Sequence, residues 1–242
     1  MTVLIKREFR SYFHDMRGFV FLSVFFLAIG SLMMYYGFLL ESPTICYVIS
    51  DLLVISALLC PVLSYKTISG EYRGGTDKLL YSLPFGSCRI VLGKYLALLS
   101  AYAIPTAVLA LCPLIYNYFG EVNFGASYLS LFAFFAFCAA VVSVCMFFSA
   151  QFKKTVHTIL ASYIFVVVMY LLQIISLWVE KQDLLGGVLT SILSFFGIFN
   201  RFEGFIYNMF DLGALVYYLS VSAFFIFLTV RSVEKRRISG EV

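Results

Sequence analysis

Charge is scarce in this chain: only 12% of its 242 residues are Asp, Glu, Lys or Arg, whereas 62% are apolar. A soluble domain holds about 25% charged and about 45–50% apolar residues. A chain so poor in charge cannot hide its apolar surface in one water-surrounded core, and its mean hydropathy of +0.96 makes the bilayer its solvent. Histidine is scarcer still. His14 and His157 lie at basic edges, with no HExxH and no paired carboxylates within an apolar run. That excludes the common zinc hydrolases and leaves a Ser or Cys nucleophile without a base at mid-membrane. The six cysteines form no CxxC pair; five lie in apolar stretches and Cys88 in a basic loop, so they read as small packing residues. A phosphate-binding loop is missing too. Gly93-Lys94 is the nearest approach, but Cys88 stands where a glycine is needed and Tyr95 replaces the magnesium-binding hydroxyl. No catalytic residue, metal site or bound cofactor is therefore expected on this chain, and no nucleic-acid partner.

What is abundant is long apolar sequence. Residues 18–40, 44–64, 96–118, 128–150, 159–179 and 212–230 each supply the about 20 apolar residues that a spanning helix needs. The expected fold is an all-α membrane protein with six transmembrane helices (18–230). The first run is too long for a signal-peptide core and has no small-residue cleavage site after it, so it reads as a retained anchor. All but Lys181 and Arg201 of the 17 Lys and Arg fall on one side if both ends are inside. The positive-inside rule then places the N-terminus, the 65–95 loop, Lys153-Lys154 and the 231–242 tail in the cytoplasm, as for a multi-pass protein of the inner or plasma membrane. Residues 184–199 are apolar but too short for a comfortable span, and crossing there would move the basic tail outside. A re-entrant pair of short helices over 184–211, on the outer face, is expected instead, shielded by protein or lining a wet cavity.

Three shorter features carry information. In residues 1–17, Ile5, Phe9, Tyr12, Phe13 and Met16 recur at helical spacing opposite Lys6, Arg7, Arg10, His14 and Arg17. This reads as an amphipathic helix in the membrane interface or as an ordinary basic flank. The one acid inside an expected span is Asp51, ~10 Å into its helix. It is either a candidate pathway contact or a shallow acid capped by water or by the re-entrant segment. The loop YKTISGEYRGGTDKLLYSLPFGSCRIVLGKY (65–95) mixes charges of both signs. A short helix over 67–73 would end at Gly74-Gly75, and a second over 76–83 would start at the N-cap Thr76 and stop before Pro84. Such a knob suits docking of a soluble partner, or is a solvated connector.

The same loop resembles the signature of type-2 ABC exporter permeases, in particular their gliding-motility and nitrous-oxide-reductase-maturation branches. The resemblance lies in Ser69, Gly70, Glu71, Gly75, Thr76, Leu79, Leu80, Pro84, Ile90, Val91, Gly93, Lys94 and Leu96. The segment FFGIFNRFEGFIYNMFDLGALVYYL and the opening IKREFRSYF are similar to further parts of that family, with Asn208 where glycine is usual and no proline before Arg201. The resemblance implies a permease subunit of an ATP-driven exporter, paired with a second permease copy or paralogue. Separate ATP-binding subunits would hold the ATP and magnesium. Ser69, Glu71, Arg73, Gly75 and Thr76 would belong to the coupling helix on which the ATPase docks, and residues 1–17 to a connecting elbow. Phe199, Arg201 and Phe202 would belong to an outer gate in the re-entrant pair. The alternative is a non-transporting scaffold subunit of a secretion or motility assembly. A proton-coupled carrier would need more buried ionisable groups than Asp51 alone.

Overall fold

The computed structural model describes residues 2–14, 16–39, 45–74, 86–118, 122–182, 197–206 and 210–238. Among the described residues every regular element is helical and there is no strand. The chain begins with helix α1 (Thr2–His14). Its apolar stripe does not face outward: Tyr12 is fully buried, and Ile5, Phe9 and Phe13 pack against the same core. The Phe9 and Phe13 rings lie 4.9 Å apart. Lys6, Arg7, Arg10 and His14 are left on the exposed side. Helix α1 thus turns an apolar face toward the protein's own helices.

The turn out of α1 is tight. Met16 adopts φ 60°, the left-handed region, at a cost of about 1–2 kcal/mol for a residue with a Cβ. Two residues on, Gly18 runs beneath α1, where a Cβ would come within 3.0 Å of the Phe13 ring and 3.1 Å of the Tyr12 carbonyl. A larger residue there would have to push the Phe13 ring or the α1 backbone aside, so glycine suits the close departure of the first long helix.

Among the described residues six helices are long and apolar enough to cross a membrane. The first is α2 (Arg17–Met34), which closes in a π-helical turn over Tyr35–Leu39. It is followed by α3 (Ile45–Ser64) and the short α4 (Ser69–Gly74). Helix α5 (Ser87–Leu109) continues through the small α6 (Cys112–Tyr116). Then come α7 (Phe124–Gln151) and α8 (Thr155–Gln182). A 3-10 turn (Asn200–Phe202) and α9 (Glu203–Ile206) precede the last long helix, α10 (Leu212–Ile238). The third long helix begins at Ser87, well ahead of residue 96. Ser87, Ile90, Val91, Lys94, Ala97 and Leu98 form one buried stripe at helical spacing, which carries the helix back through the basic stretch.

Helix α7 is the centre of the bundle, with 67% of its apolar window buried against 17% for α8. It packs on α3 and α10. Small residues are buried along its length, among them Ala126, Ser130, Ala133, Ala140, Ser143 and Ala150, which let neighbouring backbones approach closely. Some of its hydroxyls bond within the helix: Ser130 donates to the Ala126 carbonyl at 2.9 Å and Ser143 to that of Ala140 at 2.6 Å. Bonds between elements come from tyrosines among others. Tyr102 donates to the Ser56 carbonyl (3.0 Å), Tyr95 to that of Ala139 (3.1 Å) and Tyr218 to that of Ile198 (3.0 Å). In an apolar setting each such phenol needs its acceptor.

Candidate functional site at the charged end of the bundle

Four helix ends meet where α4 sits. Helix α4 is only six residues long, too short to hold itself together. Its open N-terminal amides are capped from another helix: Ser149 of α7 accepts from the backbone N–H of Ile68 (3.1 Å) and Ser69 (3.2 Å) and donates to the Tyr65 carbonyl (3.3 Å). The Ser69 hydroxyl also donates to the Tyr65 carbonyl. This replaces the partners a longer helix would have found in its own first turn.

Beside the cap lies a buried ammonium. Lys94 of α5 is 2% exposed. Its Nζ donates to the Thr67 carbonyl at 2.7 Å and to Glu71 Oε1 at 2.6 Å, and Glu8 Oε2 of α1 lies 3.7 Å away. Two carboxylates thus share one buried cation, and the exposed Arg7 takes the other Glu8 oxygen at 2.8 Å. Taking an ammonium out of water costs several kcal/mol, so these partners are what keep it folded inward. Tyr12 closes the group, its hydroxyl 3.5 Å from Thr67 Oγ1. Burial, more than any neighbouring charge, pushes the Tyr12 phenol well above its ordinary range. Arg17 lies over two rings, 5.8 Å from Tyr12 and 5.7 Å from Tyr65.

A third grip comes from the last helix. The Arg236 guanidinium stands 4.6 Å over the Tyr72 ring of α4, and Nη2 donates to the Gln151 carbonyl at the end of α7. A cation on the last carbonyls of a helix is also favoured by its dipole. Helix α4 is therefore fastened to α7 by Ser149, to α5 and α1 by Lys94 and Glu8, and to α10 by Arg236.

The expected site residues fall as follows. Ser69 is fully buried, and Glu71 turns inward to Lys94. The Arg73 side chain, Gly75 and Thr76 lie outside the described residues, as does the expected second helix over 76–83. Asp51 is exposed on α3 and accepts from the Tyr36 hydroxyl at 2.8 Å. Phe199 is buried against the rings of Phe137 (5.1 Å) and Tyr170 (5.9 Å), and Phe202 lies 5.8 Å from Phe205. Arg201 stands 4.7 Å over the Tyr217 ring. Asn200 Nδ2 donates to Ser176 Oγ of α8 at 2.6 Å, which ties this segment across three long helices. Most of the expected re-entrant pair, residues 183–196 and 207–209, lies outside the described residues. Asp211 begins α10 as its cap, accepting from the N–H of Gly213 (2.8 Å) and Ala214 (3.2 Å).

Sequence reasoning gave no role to Ser149, Arg236 and Glu8 and counted Lys94 as a loop cation. For Lys94 a signal was present: it falls four residues after Ile90 and three before Ala97, on the buried stripe. Ser149 and Arg236 meet α4 only through the tertiary fold.

The described fold, six apolar helices around a small-residue centre, is that of a multi-pass helical membrane protein. Residues 48–230 match the family model of the ABC-2 family transporter protein, which is most of the chain, and the protein belongs to that family. It is accordingly a membrane permease component of an ABC transporter, not the ATPase, and such components generally work with an ATP-binding subunit. No individually curated protein matches the chain.

Proposed function

We propose that the chain is one subunit of an ATP-driven exporter, in which α4 and the rest of the 65–95 loop receive a separate ATP-binding subunit and pass its closure to the spans. The observation that carries this reading is the triple fastening of α4. A knob joined at once to Ser149, Lys94 and Arg236 cannot shift without moving the ends of α7, α5 and α10. The ATP-bound cassette dimer would favour one position of α4, and that differential affinity would bias the bundle between two packings. Within this scheme Ser69 and Glu71 shape the receiving knob from inside, while Arg73, Gly75 and Thr76 belong to its docking side. Helix α1 acts as the elbow, joined through Glu8. A second copy or paralogue completes the pathway, and Phe199, Arg201 and Phe202 hold an outer gate. In this reading α1, α4 and the tail lie on the cytoplasmic side of the inner or plasma membrane, which the distribution of Lys and Arg supports.

The test is purification of the tagged full chain from its native membrane, followed by ATPase assay in nanodiscs. A soluble ATP-binding subunit should co-purify, and its ATPase rate should depend on the permease. Glu71→Ala and Tyr72→Ala should release that dependence while the variants still insert. Unchanged coupling in both variants would overturn the role given to α4. Recovery of assembly proteins without any ATPase would favour a scaffold subunit.

A further inference from the structure

A second constellation lies at the far end of α3, ~20 Å from Ser64 by helical rise and well away from α4. Asp51 is exposed there, on a helix whose neighbouring positions Ile49, Leu52 and Leu53 are buried. One carboxylate oxygen accepts from the Tyr36 hydroxyl at 2.8 Å, and no Lys or Arg among the described residues pairs with it. An ionised carboxylate in an apolar span is costly when it lacks a countercharge.

Around it are aromatic faces. Tyr47 stands one turn before Asp51 on the same face of α3. The Tyr36 ring stacks on that of Tyr47, with centroids 6.1 Å apart and an 18° tilt, and Tyr35 meets Tyr36 edge-on at 5.2 Å. Tyr35 and Tyr47 are 48% and 46% exposed, so both rings keep accessible surface. Tyr35 and Tyr36 lie in the π-helical turn that closes α2, a distortion common at functional sites. Capping Asp51 would need a single hydroxyl. Tyr36 already supplies that hydroxyl, and the rings of Tyr47 and Tyr35 gathered around Tyr36 add aromatic surface beyond a cap.

We infer that Asp51, Tyr36, Tyr47 and Tyr35 form a binding site for an ammonium group. A carboxylate supplies the countercharge, and accessible tyrosine rings attract the cation through their quadrupoles. Nothing here points to a metal: among the described residues no group of three or more His, Cys, Asp or Glu stands together to hold one. The ammonium can be presented by a lipid headgroup or by a free amine. The inference goes beyond the coupling role of α4, and its test needs no ATP-binding subunit.

Full chain in nanodiscs of phosphatidylglycerol is titrated with choline and with its neutral isostere 3,3-dimethylbutanol. Choline should bind saturably, the isostere at least about tenfold more weakly. Asp51→Asn should cost about tenfold or more, Tyr47→Leu a smaller but measurable loss, and Asp51→Glu should keep part of the affinity. Native mass spectrometry in mixed phosphatidylethanolamine and phosphatidylglycerol nanodiscs separates the sources. Ethanolamine lipid retained by the wild type and displaced by choline assigns the site to headgroups; choline binding without such retention assigns it to a free amine. Equal binding of the isostere, equal binding by Asp51→Asn, or no binding of either ammonium to the wild type overturns the site. A change of oligomeric mass in Asp51→Asn, with no choline binding to the wild type, would also overturn it, in favour of a subunit contact. Should Asp51→Asn fail to fold, unchanged choline affinity in both Tyr47→Leu and Asp51→Glu is the overturning result.

Discussion

Lys94 is the residue on which the charged end depends most. It is held by a carbonyl and a carboxylate at 2.7 and 2.6 Å, with a second carboxylate 3.7 Å away. Removing it would leave Glu71 and Glu8 near each other without their shared cation. Lys94→Ala should therefore lower stability by about 3–5 kcal/mol, the usual cost of breaking a buried pair from one side. A thermal melt of the detergent-solubilised protein measures this, and a midpoint equal to that of the wild type would refute the ion-pair account. Replacing Lys94 and Glu71 together by apolar residues of similar size should recover part of the loss, because no single buried charge is then stranded between them. Tyr12→Phe is expected to cost far less, at most about 1 kcal/mol, since the phenol's contact with Thr67 is long at 3.5 Å.

At the scale of elements, α4 exists because another helix caps it. Ser149→Ala should expose the amides of Ile68 and Ser69 and cost about 1–2 kcal/mol. Hydrogen exchange should rise over residues 65–74 and stay unchanged in the middle of α7; a uniform rise would point to global loosening instead. Arg236→Ala should loosen the same segment by releasing Tyr72, with α10 otherwise intact. The sequence made the long helices legible, because an apolar run of span length has few other solutions. It also marked the start of α4 within a residue or two and its end at the glycines. It did not reveal how α4 is held: Ser149 lies some eighty residues from the amides it caps, and Arg236 looked like one more solvated cation of the tail. For α1 the helical period was plain, yet a period alone does not say whether Phe9, Tyr12 and Phe13 face lipid or protein. Their packing against α5 and α2 decided it. At Asp51 the anomaly was legible in the apolar run, but its partner Tyr36, at the end of another helix, was not.

At the scale of the whole molecule, the proposed orientation has a built-in reporter. Cys88, one residue into α5, is exposed, and the other five cysteines are buried. A membrane-impermeant maleimide should label the wild type at Cys88 in inverted vesicles and leave it unlabelled in intact cells. The reverse pattern would invert the topology and refute a cytoplasmic α4. Helix α8 has a different consequence. It is the least buried of the long helices and carries the chain's one tryptophan, Trp178, 60% exposed. Its fluorescence therefore comes from a single indole on the surface that α8 offers to its surroundings. Emission colour and quenching by brominated acyl chains give a spectroscopic view of what covers that surface, without any label. Such a signal can follow the solvent of this helix as detergent is exchanged for lipid.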